Sequence, residues 1–189
     1  ANDRAETLLF NIIRGTGIRG LVGISEVNED IYRPLIDIKR CDIEDYLHKN
    51  NLTYVEDETN FEEIYTRNKI RLSLIPKLSE LNPNIIDALL RLSENASDAS
   101  DFIEELVEEN YSKCIKDYYF IVEEMKELNK FLACEIIKSY LAKNFYSENI
   151  LSRDNILGIY DLILGESGRV INLGSKVSAR KSYDKVFIE

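Results

Sequence analysis

Apolar residues recur at helical spacing almost from the start of the chain. Leu8, Leu9, Ile12 and Ile13 form one stripe, which predicts a helix over residues 3–14. Asn2 or Asp3 can cap its start, and Glu6 lies in its first turn. The pattern stops at Arg14-Gly15-Thr16-Gly17, where glycine supplies the left-handed geometry that closes a helix. Gly20 and Gly23 extend this into a structured loop.

Tyr32 to Ile36 reads as extended, because Pro34 pushes Arg33 out of helical geometry. A helix over 43–49 follows, with Ile43, Tyr46 and Leu47 facing inward. Tyr54 to Asn60 reads as a short strand and a polar turn, in which Asp57 and Asn60 can bond their own backbone. Ile70, Leu74, Ile75 and Leu78 define a helix over 66–81 that Pro76 kinks or splits. Pro83 suits the first position of the next helix, whose amphipathic pattern runs from Ile85 to about Ile115. Two more helices are predicted over 124–145 and 152–164.

The last twenty or so residues change to alternation. Arg169 to Leu173 and Val177 to Arg180, flanked by Gly168 and Gly174, are followed by Val186-Phe187-Ile188. Two or three small antiparallel strands are expected. The class is therefore mainly α, with a small antiparallel β element at the C-terminal end. No internal repeat and no low-complexity segment is visible.

Composition narrows the function. The 189 residues fit one large domain or two small ones. A formal net charge of -10 argues against indiscriminate binding to nucleic acid or anionic membrane, but leaves room for a local basic patch. No apolar run reaches the ~18–20 residues that a membrane-spanning helix needs. Cys41, Cys114 and Cys134 are far apart and form no CxxC pair, which argues against a metal knuckle or a disulfide framework. Free thiols fit a reducing, cytoplasmic location. The chain passes straight into an apolar helix, which reads as a cut inside a structural unit.

Three clusters carry candidate chemistry. Asp3 and Glu6 share a helix face with Thr7 beside them, and two carboxylates there can hold an ammonium group, magnesium or ribose hydroxyls. A capping box uses similar residues at the same spacing. Arg14-Gly15-Thr16-Gly17-Ile18-Arg19-Gly20 places two arginines around a glycine loop, which suits phosphate. An ordinary helix end with solvated arginines explains it equally. It is neither a Walker loop, lacking the GK[ST] ending, nor a dinucleotide fingerprint, since no strand precedes it. Tyr65-Thr66-Arg67-Asn68-Lys69-Ile70-Arg71, extended by Lys77, is a basic run in an acidic chain. It suits an RNA backbone, with Tyr65 for stacking, or a solvated helix face. His48, the single histidine, reads as a surface residue, the acids from Glu94 to Glu127 as a solvated face, and Tyr118-Tyr119-Phe120 as core.

In series, these motifs resemble the tRNA(Ile)-lysidine synthase family. That family follows a histidine-pair motif ending D-Q-x-E-T-x-L-L with R-G-[ST]-G-x-x-G-L, R-P-L, [ED]-D-x-[ST]-N and Y-x-R-N-x-[IL]-R. This chain has Asp3, Glu6, Thr7, Leu8 and Leu9; then Arg14-Gly15-Thr16-Gly17 with Gly20-Leu21; then Arg33-Pro34-Leu35; then Glu56 to Asn60; then Tyr65 to Arg71. The matches cover roughly residues 1–95; the rest shares only the helical character of the family's middle domain.

The resemblance implies an ATP-pyrophosphatase-type ligase. It would adenylate the wobble cytidine of tRNA(Ile) with a CAU anticodon, after which free lysine displaces AMP. Residues 1–80 would be the C-terminal remnant of the α/β catalytic domain, and 81–189 a helical tRNA- or substrate-binding domain ending in a short β-hairpin. Asp3 and Glu6 would be catalytic. Arg14, Gly15, Gly17 and Arg19 would bind phosphate or substrate, and Arg67, Asn68 and Arg71 would bind tRNA, helped by a basic end of Lys176, Arg180, Lys181 and Lys185. ATP with magnesium is the implied cofactor, with no metal site in the chain itself and a homodimer left open. Two departures stand out. Arg4 replaces the family glutamine and adds a charge to the pocket. The S-G-G-x-D-S loop that grips ATP phosphates occurs nowhere in these residues, so the isolated chain is expected to be inactive. A thiolation enzyme of the same group is a weaker fit, because it often uses paired cysteines. A helical interaction module explains the acidic helices but not the serial motifs.

Overall fold

Leu8 and Leu9 form the buried face of the first helix, α1 (Asn2–Arg14), in a computed structural model that describes residues 1–28, 30–55, 65–145 and 149–189. Gly15 closes α1 in the left-handed region, at φ 78°. The sidechain cap expected of Asn2 or Asp3 is not made. Ala1 occupies the capping position, and Asn2 Oδ1 instead accepts the backbone N–H of Arg40.

The chain divides into two compact units, Ala1–Asp101 and Phe102–Glu189. In the first, α1 is followed by the short α2 (Ile18–Leu21), an antiparallel hairpin of β1 (Val27–Asn28) and β2 (Ile31–Tyr32), and α3 (Arg40–Lys49). Extended backbone ends at Tyr32, and Pro34 begins a turn rather than continuing it. On α3, Ile43 and Leu47 are half-buried, but Tyr46 is exposed, because this charge-rich helix buries no side chain fully. Tyr54 and Val55 form no strand; the predicted turn of Asp57 to Asn60 lies outside the described residues.

The helix expected over 66–81 is continuous. α4 (Thr66–Lys69) runs through one π turn (Ile70–Leu74) into α5 (Ile75–Leu81). Pro76 has no N–H to give to the preceding turn, so the ladder widens there and proline becomes an opening residue of α5. The core joins Ala5, Leu8 and Leu9 to Ile70, Ile75 and Leu89. Leu89 belongs to α6 (Ile85–Cys114), which starts two residues after Pro83, because Asn82 accepts the N–H groups of Asn84 and Ile85 to make the turn.

The second unit pairs β3 (Ile115–Lys116) and β4 (Tyr119–Ile121) with the three C-terminal strands, β5 (Val170–Gly174), β6 (Val177–Ser182) and β7 (Lys185–Ile188). The result is a five-stranded antiparallel sheet, in the order β3-β4-β7-β6-β5. Among the described residues the C-terminal part of α6 accompanies it, with α7 (Val122–Glu127), α8 (Lys130–Asn144) and α9 (Arg153–Leu164). The single helix expected over 124–145 is two, because Leu128 is extended and Asn129 accepts the Leu132 N–H to start α8. Phe120, Met125, Ile136, Ile137, Leu141 and Ile159 lie at the centre of the core. Tyr118, by contrast, is exposed. No helix among the described residues is long and apolar enough to cross a membrane.

Candidate active site

Helical spacing on α1 places Asp3 and Glu6 on one face, next to Thr7. Spacing of four on the helix that begins at Thr66 places Arg67 and Arg71 together. The two pairs meet. Arg71 Nε donates to Glu6 Oε1 at 2.7 Å and its Nη2 donates to Glu6 Oε2 at 2.8 Å, a bidentate fork. The same Nη2 lies 3.3 Å from Asp3 Oδ1. Arg67 Nε stands 3.6 Å from Glu6 Oε2, and its Nη2 donates to Thr7 Oγ1 at 3.1 Å.

Burial separates the two carboxylates. The Glu6 side chain is 2% exposed and Asp3 58%. Both Glu6 oxygens are engaged by Arg71, so Glu6 anchors the arginines rather than offering itself to a ligand. Arg71 is held protonated: the hydrogen bonds it donates to Glu6 raise its pKa, the charges of Glu6 and Asp3 add to this, and burial opposes them. Asp3 is the carboxylate left accessible.

A cleft of about 460 Å³ opens beside Asp3 and Glu6, with Arg33, Pro34, Ile36 and Arg40 on its other walls. The Arg33-Pro34-Leu35 motif therefore lines the same space as the carboxylates. Arg40, in the first turn of α3, was invisible to sequence reasoning, since no motif includes it. A cleft with one accessible carboxylate and nearby guanidinium groups can take a ligand carrying both an ammonium and an anionic group. Among the described residues no three His, Cys, Asp or Glu side chains gather to hold a metal ion.

The remaining candidates are more dispersed. Arg4 does not add its charge to this cleft. It pairs with Asp37 at 2.5 Å and lies 3.4 Å from Ser93 Oγ. The glycine loop sits at the far end of α1, about 16 Å along the axis from Asp3. There Arg14 stacks over Phe10 at 5.2 Å, Gly15 and Gly17 frame the turn into α2, and Arg19 is exposed. A smaller cleft of about 320 Å³ lies between these ends, lined by Thr7, Phe10, Asn11, Ile24 and Arg67. Asn68 is half-buried, Lys69 and Lys77 are exposed, and so is His48. Lys181, expected in a basic end, points inward and donates to the Ile163 and Gly165 carbonyls.

Residues 1–78 match the PP-loop domain family of ATP-binding proteins. Across its whole length the chain is 41% identical to a tRNA(Ile)-lysidine synthase of Clostridium perfringens, of which it covers 41%. It is 34% identical to that of Clostridium tetani, again over the whole chain and 41% of the relative. Identity to the Caldanaerobacter subterraneus enzyme is 47%, over 59% of this chain and 24% of the relative.

Proposed function

Starting from the fact that the chain belongs to the tRNA(Ile)-lysidine synthase family, we propose that it contributes part of the lysine-handling pocket of an ATP-dependent ligase. The substrates of this reading are free lysine, ATP with magnesium, and a tRNA(Ile) whose wobble cytidine receives the lysine. The observation that carries it is the Glu6–Arg71 fork, which joins two motifs 65 residues apart beside the exposed Asp3.

In this reading Asp3 receives the ammonium of lysine. A carboxylate at that position also takes the proton that the amine loses as it attacks the activated cytidine. Glu6 is a positioning residue: it fixes Arg71 and, more loosely, Arg67. Arg33 and Arg40, across the cleft, suit the lysine carboxylate or a phosphate. ATP supplies the adenylyl group when bound. Arg14 and Arg19, with the turn at Gly15 and Gly17, are assigned to phosphate or tRNA backbone, and Arg67 with Asn68 to tRNA. The phosphate-gripping S-G-G-x-D-S sequence is not among the 189 residues, so we expect them alone to form no lysidine.

A chimera tests this reading. These residues would replace the matching stretch of the Clostridium perfringens enzyme, and mass spectrometry would follow the wobble cytidine with ATP, lysine and tRNA(Ile). Lysidine is expected from the chimera, none from the 189 residues alone, and none from chimeras carrying Asp3→Ala or Arg71→Ala. A folded chimera that makes no lysidine, or an Asp3→Ala chimera with full activity, would overturn it.

A further inference from the structure

The solvent face of the five-stranded sheet carries a row that the proposed pocket does not use. Strand register places Lys116, Tyr119, Phe187, Arg180 and Val170 side by side, one from each strand. Alternation along each strand sends their neighbours Phe120, Val186 and Ala179 into the core, all three fully buried. The row therefore faces out.

At its centre the Tyr119 and Phe187 rings lie with centroids 5.4 Å apart. Arg180 sits 5.3 Å over Phe187, and Lys185, in the adjacent row, 4.6 Å over Tyr119. Glu189 brings a carboxylate to within 3.0 Å of Arg180. On this face Lys116, Arg180 and Lys185 bring three basic side chains, although the whole chain is at -10. Arg180 and Lys185 thus stand beside the two aromatic rings that reach the surface.

We propose that this sheet face is a stacking platform for unpaired nucleotides of RNA. Bases outside a helix expose flat π surfaces, which stack on aromatic rings and on guanidinium planes, while lysines meet the phosphates between them. A duplex hides those surfaces and would use only the cations. An acidic peptide would leave the two rings idle. The choice of RNA rests on the proposed function; the stacking argument rests on the sheet alone.

Fluorescence anisotropy of the whole chain with a labelled 12-nucleotide RNA, single-stranded or as a blunt duplex, tests it without ATP or lysine. The single strand is expected to bind about tenfold more tightly or better. Tyr119→Leu and Phe187→Leu keep apolar bulk and remove the π face, and each should weaken single-strand binding about fivefold or more. Arg180→Gln and Lys185→Gln should weaken it and flatten its salt dependence. Equal affinity for duplex and single strand, or ring variants that fold and bind normally, would overturn the proposal. Should the leucine variants fail to fold, photocrosslinking of 4-thiouridine RNA to the unaltered chain decides it: adducts at Tyr119 or Phe187 support the platform, and adducts confined elsewhere overturn it. Because no ligase step is involved, failure of lysidine formation in the chimera leaves this result standing.

Discussion

Arg71 closes on Glu6 with two parallel hydrogen bonds, and this pair is the joint between the first helix and the helix that starts at Thr66. A buried pair of this kind is more costly to break than it is valuable as a whole. Arg71→Ala leaves the Glu6 carboxylate buried, with Arg67 at 3.6 Å as its nearest cation. The expected loss is near the lower end of ~3–5 kcal/mol. Glu6→Gln with Arg71→Met, which removes both charges and keeps the volume, should recover most of it. Urea unfolding of the single and double variants measures both. A single-variant loss below ~1 kcal/mol would show that the fork contributes little.

Much of this site could be read in the sequence, and the reason is physical. Spacings of three and four on a helix place side chains on one face whatever the surroundings, so the pairs Asp3–Glu6 and Arg67–Arg71 were visible. That the two pairs meet depends on packing through Ala5, Leu8 and Ile70, which no local pattern encodes. The roles of the two carboxylates were hidden for the same reason, since burial alone distinguishes Glu6 from Asp3. The helices were legible where the apolar stripe is long, as in α1 and α6. The short strands at Ile115 and Tyr119 were missed, because two or three residues cannot establish alternation; β7 pairs with β4, which in turn pairs with β3. Asp117, at φ 50°, makes the turn between them.

Lys181 is a second buried charge, and it acts at a helix end. Its Nζ donates to the Ile163 carbonyl at 2.6 Å and the Gly165 carbonyl at 2.5 Å, where α9 runs out of N–H partners. Lys181→Met should destabilise the fold by ~1–3 kcal/mol at neutral pH. Burial lowers the ammonium pKa below the ordinary 10.5, and Lys126 adds to this. Between the lowered folded value and 10.5 the unfolded chain holds more protons, so the contribution of Lys181 to stability rises with pH across that window. The gap between wild type and Lys181→Met should therefore widen on alkaline titration. Parallel stability curves would count against a buried, depressed lysine.

The three thiols differ in access and should react in a fixed order. Cys41 is exposed, Cys134 intermediate and Cys114 buried. Burial raises the pKa of both Cys114 and Cys134, which lowers their thiolate fraction at neutral pH. Maleimide labelling followed by peptide mass spectrometry should modify Cys41 first, then Cys134, with Cys114 protected until urea unfolds the chain. Labelling of Cys114 as fast as Cys41 in the native protein would contradict the burial of the end of α6 in the core.

Gly20 owes its identity to Thr16. A Cβ at position 20 would lie 1.7 Å from Thr16 Oγ1 and 2.8 Å from Thr16 Cβ, so rotating the threonine side chain cannot clear it. The nearby carbonyl of Gly20 also accepts from Asn11 Nδ2 at 2.8 Å, which ties the loop back to α1 and resists a backbone shift. Gly20→Ala should therefore cost ~1–3 kcal/mol, the usual range for overpacking. Thr16→Gly removes both clashing atoms, so adding it to Gly20→Ala should cost less than the sum of the two single changes. The difference is a coupling energy of ~1 kcal/mol or more, read from a double-mutant cycle in urea. Strict additivity would mean that the loop relaxes around alanine, and that Gly20 is present for some reason other than Thr16.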